Sequence, residues 1–146
     1  NTVTIESDKK VIEFLPWSVI LDGLTLEMPW EYEKWGFLAY AQEENEALVF
    51  QIMIEGYHIW FIPSFMPDLS SATLDFLWDI DVLILLAKKE STVIIEKIEP
   101  RLVIAYWENA HDLAIHMWVS EPATQKYRLK EADLSLDKAW CIVMGD

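Results

Sequence analysis

Residues 81–105 read DVLILLAKKESTVIIEKIEPRLVIA, and this stretch decides the fold class. Asp81 to Leu86 is a continuous apolar run, the pattern of a strand covered on both faces. Ser91 or Glu90 opens a helix that ends before Pro100, with Val93, Ile94 and Ile98 apolar. Leu102 to Ala105 is the next buried strand. Strand, helix and strand in this order argue for a sheet with helices laid on it. Outward from this core the alternation continues. Ser70 and Ser71 cap a helix running through Leu77, with Leu74 and Leu77 on one face. Asn109 caps a third helix from Ala110 to Met117. Tyr127 to Leu129 and Trp140 to Met144 close the chain as strands.

The first half reads as β. Thr2 to Ile5 and Val11 to Leu15 form a hairpin about Asp8-Lys9. Ser18 to Leu21 and Leu24 to Glu27 form another about Asp22-Gly23, the Asp-Gly turn signal. Phe37 to Ala41 and Ala47 to Ile54 follow, separated by the acidic loop Gln42 to Glu46. Glu55-Gly56 turns the chain into Tyr57 to Ile62. Pro63 and Pro67 then bracket a loop. No linker, low-complexity tract or repeat divides the chain, so residues 1–146 read as a single domain.

Composition narrows the functional classes. Of 146 residues, 53% are hydrophobic and 25% charged, which fits a chain with a real core. Asp and Glu number 25 against 11 Lys and Arg, a formal charge of −14. That charge repels nucleic acid and anionic membranes alike, and no compact basic cluster overrides it. No run of about 18 apolar residues exists to span a membrane. No secretory leader opens the sequence, so a cytoplasmic setting is the expectation. The one cysteine, Cys141, cannot form an internal disulfide. It lies in a strand pattern and reads as a small buried apolar residue rather than a reactive thiol.

The three histidines are His58, His111 and His116. His58 lies in a strand pattern and is expected to face solvent. His111 and His116 share a helix but lie about 140° apart around its axis, too far to share one metal. Asp112 and His116 have the spacing of a helix-surface ion pair. The carboxylate pairs Glu31/Glu33 and Asp79/Asp81 have the residue types for acid/base work. In so acidic a chain, solvated loop ends account for them better. No H-x-H-x-D-H, H-E-x-x-H, C-x-x-C, phosphate-binding loop or nucleophile elbow is present.

Eight tryptophans stand against four glycines, where ordinary usage of ~7% gives roughly ten glycines. Several tryptophans occupy positions that suit glycine. Trp118 follows a helix end, Trp78 stands between a helix and a strand, and Trp17 and Trp30 each follow a proline in a turn.

Four segments carry a resemblance. Pro29-Trp30-Glu31-Tyr32-Glu33-Lys34-Trp35-Gly36 resembles the P-G-E-Y-E-x-x-G segment of the metallo-β-lactamase superfamily, in the branch near the L-ascorbate-6-phosphate lactonases. Val49 to Ile52 with Ile54 to Ile59 is similar to the family's strand pair ahead of a metal-binding aspartate. Leu77 to Ile84 is similar to its L-G-x-[VI]-D-[VI]-L strand, and Ile98 to Ile104 to its I-x-P-x-[IV]-V-I segment. The likeness covers about Pro29 to Met144. It implies an α/β (α+β) half-sandwich, a β-sheet layer with three helices packed on one side, lacking the half that carries the main metal motif. The family's later metal aspartate aligns with Ser64 and its final metal histidine with Trp107. Neither is a metal ligand, so the resemblance implies the fold without the family's hydrolysis. No catalytic residue, cofactor or metal is expected.

The same alignment puts glycine at Trp30 and Trp78, with Trp118 a third candidate. Some bacterial lineages read UGA as glycine, and that decoding would account for the surplus tryptophan.

Three functions compete: a non-catalytic structural or interaction module, a metal-dependent hydrolase with a non-standard or inter-chain site, and a small-molecule binder. A half-sandwich leaves one apolar sheet face open, which calls for a homodimer joined through that face. The alternative is that residues 2–27 fold over as a reduced second sheet.

Overall fold

The computed structural model describes residues 3–7, 10–15, 18–29, 31–34, 36–44, 47–62, 69–76, 79–88, 91–106, 109–119, 122–130, 134 and 140–145. Among them are eleven strands and three helices.

The first four strands form an antiparallel meander: β1 (Val3–Ser7), β2 (Lys10–Leu15), β3 (Ser18–Leu21) and β4 (Leu24–Leu26). Asp22 and Gly23 join β3 to β4 with φ of +46° and +86°, the backbone of the two-residue turn that Asp-Gly favours. Alternation puts one row of side chains inward. Val3 pairs with Phe14, Phe14 with Val19, and Val19 with Leu26, and all four are buried.

The second sheet has seven strands in the order β11-β10-β9-β8-β7-β6-β5. Its antiparallel part is β5 (Glu31–Lys34), β6 (Phe37–Glu44), β7 (Ala47–Ile54) and β8 (Tyr57–Ile62). Its parallel part runs from β8 through β9 (Val82–Leu86) and β10 (Leu102–Tyr106) to β11 (Trp140–Met144). Helices α1 (Ser71–Phe76), α2 (Ser91–Ile98) and α3 (Ala110–His116) lie in the three crossovers. Each crossover steps the same way along the sheet. Right-handed connections then place every helix on one face, as the sequence leads one to expect.

Every residue of β9 and β10 is buried, and alternate side chains enter two separate cores. Leu83, Leu85, Val103, Ala105, Cys141 and Val143 pack under Ile94, Ile95, Leu113 and Ala114 of the helices. Val82, Ile84, Leu86, Leu102, Ile104 and Tyr106 join Phe50, Ile52, Ile59 and Phe61 beneath Ile12, Phe14, Val19, Leu21 and Leu26. The Phe14 ring meets Phe61 edge-on, with centroids 4.9 Å apart.

The two sheets therefore lie face to face, with helices outside the larger one. The sheet face left open in the half-sandwich expectation is covered by β1–β4. The twofold dimer expected through that face loses its premise, because a reduced second sheet from the same chain supplies the apolar cover.

Four local expectations are corrected. Residues 31–34 form an edge strand, whose exposed glutamates hid it; such charge is common on edges. Strand β6 runs on to Glu44, which pairs with Ala47, so much of the acidic loop is strand. Residues 126–130 form no strand, although Tyr127 and Leu129 pack against the inner core. Asn109 precedes α3 but makes no side-chain cap.

At the start of β9, Asp81 staples three strands. Its backbone N–H donates to the His58 carbonyl at 2.9 Å, and the Leu102 N–H donates to the Asp81 carbonyl at 3.1 Å. Its carboxylate accepts the His58 backbone N–H at 2.9 Å and faces Arg101 at 3.9 Å. Half-buried His58 is thus held at this end of the sheet rather than facing open solvent.

Phe14→Ala tests the covering sheet. Deleting this ring should cost about 3–5 kcal/mol, read by urea denaturation, with the wild-type chain scattering as a monomer. A neutral substitution would mean that β2 does not cover the larger sheet.

Candidate functional site

The larger sheet positions its candidate site at the carboxyl ends of the parallel strands, where open α/β sheets gather ligands. Ile62 ends β8 beside Leu85 of β9, Leu85 lies beside Ala105 of β10, and Ala105 beside Val143 of β11. Segments 63–68 and 107–108 follow from this edge. Ser64 and Trp107, the positions aligned with the family's ligands, fall in them and lie outside the described residues.

Tyr106 is the described residue that comes nearest to an unassigned functional group there. Its carbonyl accepts the Ala87 N–H at 2.8 Å, which ties β10 to the loop after β9. Its ring is buried on the inner face, and its hydroxyl has no hydrogen-bond partner among the described residues. Burial raises the phenol above its ordinary value, so Tyr106 stays neutral and is no base at physiological pH. Sequence reasoning passed over it because it reads as one more apolar position in a core strand. On the next strand, Cys141 is fully buried against the helix layer, and desolvation pushes its thiol up to about 12. It is the inert core residue that its apolar surroundings in the sequence imply.

The same edge carries a polar cluster on the helix side. Strand β6 turns Phe37, Ala39 and Ala41 inward and presents Tyr40, Gln42 and Glu44 to α1. The Glu44 carboxylate accepts the Ser70 hydroxyl at 2.8 Å, the Ser70 N–H at 3.3 Å and the Thr73 hydroxyl. Gln42 donates to the Thr73 hydroxyl oxygen at 3.1 Å. The Ser70 hydroxyl oxygen accepts the Thr73 N–H at 3.2 Å, which caps the helix. Tyr40 meets Phe76 edge-on at the other end of α1. Hydrogen bonds from Thr73 and then Ser70 outweigh burial and lower the Glu44 pKa. A carboxylate held ionised below neutral pH is a poor general base. Its donors are all from the chain itself, so the cluster anchors α1. The sequence showed the Ser70 cap but gave no sign of Glu44 as its partner, since the contact spans 26 residues.

The histidines do not converge. His58 stands near the opposite end of β8, four residues from Ile62, about 13 Å at the rise of a strand. His111 and His116 are exposed on α3. The pairs Glu31/Glu33 and Asp79/Asp81 lie on an edge strand and at the amino end of β9, away from the candidate edge. No three His, Cys, Asp or Glu side chains among the described residues come together as a metal site. Zinc takes three or four N, O or S donors. Among the described residues at this edge, the Tyr106 phenol does not make such a donor set. Among the described residues no helix is long and apolar enough to cross a membrane.

No family model matches the chain, and no curated protein matches it. Among solved structures it is similar to a protein of Thermotoga maritima described as a zinc-dependent hydrolase of the metallo-β-lactamase superfamily. The TM-score is 0.77 at 15% identity, covering 98% of this chain and 94% of that one. The fold is therefore that of the metallo-β-lactamase superfamily.

Two outcomes follow from these environments. Glu44→Gln should lower stability by about 1 kcal/mol at neutral pH, the scale of one lost charge-assisted bond. Because the folded pKa is lowered, the Glu44 contribution is complete above the ordinary value near 4.5 and is lost as pH falls through the folded value. Urea titrations from pH 7 to pH 3 should show the two proteins converging in acid. Cys141 should resist alkylation at pH 8 in the folded chain and react once the chain is unfolded. Rapid labelling of the native protein would contradict its burial.

Proposed function

We propose that this chain is a non-catalytic domain built on the metallo-β-lactamase fold, serving as a structural or interaction module. One observation carries the proposal: the histidines lie away from the strand ends where the fold would need them. His58 is pinned beside Asp81 at the amino end of β9, and His111 and His116 point outward from α3. The sequence supports the same reading, since Ser64 and Trp107 replace the aspartate and histidine of the resembled family.

The Thermotoga maritima protein contributes a framework to this reading and not an activity, because folds host unrelated functions. The nearer likeness to lactonases rests on the four sequence segments alone. A cytoplasmic setting belongs to the proposal and is supported by a buried, unpaired cysteine in place of disulfides.

Metal content and hydrolysis test it together. Purified chain equilibrated with zinc or manganese and then dialysed should retain far less than one ion per chain. It should hydrolyse lactone and phosphodiester substrates at the background rate. Stoichiometric zinc, with hydrolysis abolished by a chelator, would replace the proposal with a metal-dependent hydrolase.

A further inference from the structure

The end of α3 carries information that its exposed surface hides. The Val119 N–H donates to the Ala114 carbonyl at 2.9 Å, and the Trp118 N–H donates to the Ile115 carbonyl at 2.9 Å. These two bonds make a complete Schellman motif, in which the penultimate residue takes the left-handed conformation and is usually glycine. Val119 completes the motif by packing into the outer core with Leu113 and Ala114. The penultimate residue here is Trp118, with φ of +62°.

An L-residue in that conformation sets its Cβ against the following carbonyl, which strains the backbone. Asn and Asp offset part of this through local hydrogen bonds; an indole has no such means. Burial does not offset it either. Trp118 is 88% exposed and its neighbour Ile115 is 66% exposed. The other described tryptophans differ. Trp60 and Trp140 lie in strands, neither has a positive φ, and Trp60 is buried in the outer core. The backbone therefore asks for glycine at one described tryptophan and not at the other two.

We propose that residue 118 is glycine in the protein made by its own cell, inserted at a UGA codon, and that the Ile115–Trp118 apolar patch is not a docking surface. UGA and the tryptophan codon UGG differ at one base, and UGA is read as tryptophan in one variant code and as glycine in another. Decoding by the wrong code places an indole where helix geometry calls for a hydrogen. This explains both the backbone strain and the uncovered aromatic ring. A docking role explains the ring but leaves the left-handed backbone without a cause.

The deciding measurement is the mass of the native peptide. The codon at position 118 is read from the gene. The tryptic peptide 102–126 of protein purified from the source cells is then sequenced by fragment-ion mass spectrometry. The expected result is UGA with glycine at 118. A UGG codon, or tryptophan in the native peptide, overturns the proposal. Thermal melting of the tryptophan form and of Trp118→Gly gives an independent reading. The substitution should raise the midpoint by roughly 2–4 °C, and Trp118→Ala, which keeps Cβ, should gain less. A Trp118→Gly midpoint equal to or below that of the tryptophan form would show that the indole stabilises the helix end, and would count against the proposal equally.

Discussion

Two adjacent strands that are apolar on both faces set the terms for the rest of the molecule. All ten residues of Val82–Leu86 and Leu102–Tyr106 are buried. Leaving either face wet would expose several branched side chains, at roughly 25 cal/mol for each Å². The chain must therefore cover two faces with different devices. The crossover helices cover the outer face because parallel neighbours need a connection long enough to hold a helix. No crossover remains for the inner face. The amino-terminal meander covers it, with Phe14, Val19, Leu21 and Leu26 set against Phe61 and Ile84. The short β1–β4 sheet is thus the second half of the core.

The same constraint separates fold from chemistry. The buried framework uses apolar contacts and backbone ladders, and neither depends on the strand-end side chains that would hold a metal. What polar bonding the edge shows is structural. Glu44 holds α1 against β6, while Asp81 at the far edge joins β8, β9 and β10. Both carboxylates meet donors of this chain, which satisfies them without any ligand.

Chain reversals show where backbone geometry is strictest. Asp22-Gly23 and Glu55-Gly56 close two-residue hairpins with positive φ at both positions. Glycine takes the second place in each, at no steric cost. Helix ends follow the same rule: Glu99 after α2 and Trp118 after α3 are both left-handed. Of these residues tryptophan fits its backbone worst.

Read by itself, the sequence determined the order of most elements, the two buried parallel strands, the placement of three helices on one face and the hairpins at Asp-Gly and Glu-Gly. Those features depend on local periodicity and on φ, which neighbouring residues dictate. It also showed serine at 64 and tryptophan at 107, where the resembled family carries an aspartate and a histidine, because residue type is read directly from the chain. It did not reveal β5, since Glu31 and Glu33 on an edge strand look like loop charge. It assigned Tyr127–Leu129 to a strand, because alternation reports burial and not pairing. Only the tertiary structure decided that β1–β4 cover the inner face, that Glu44 partners Ser70 and Thr73, and that His58 stands beside Asp81. Each of these joins segments some 20 or more residues apart. Such contacts are chosen by shape and by the need to bury apolar surface, and a linear pattern does not carry that choice.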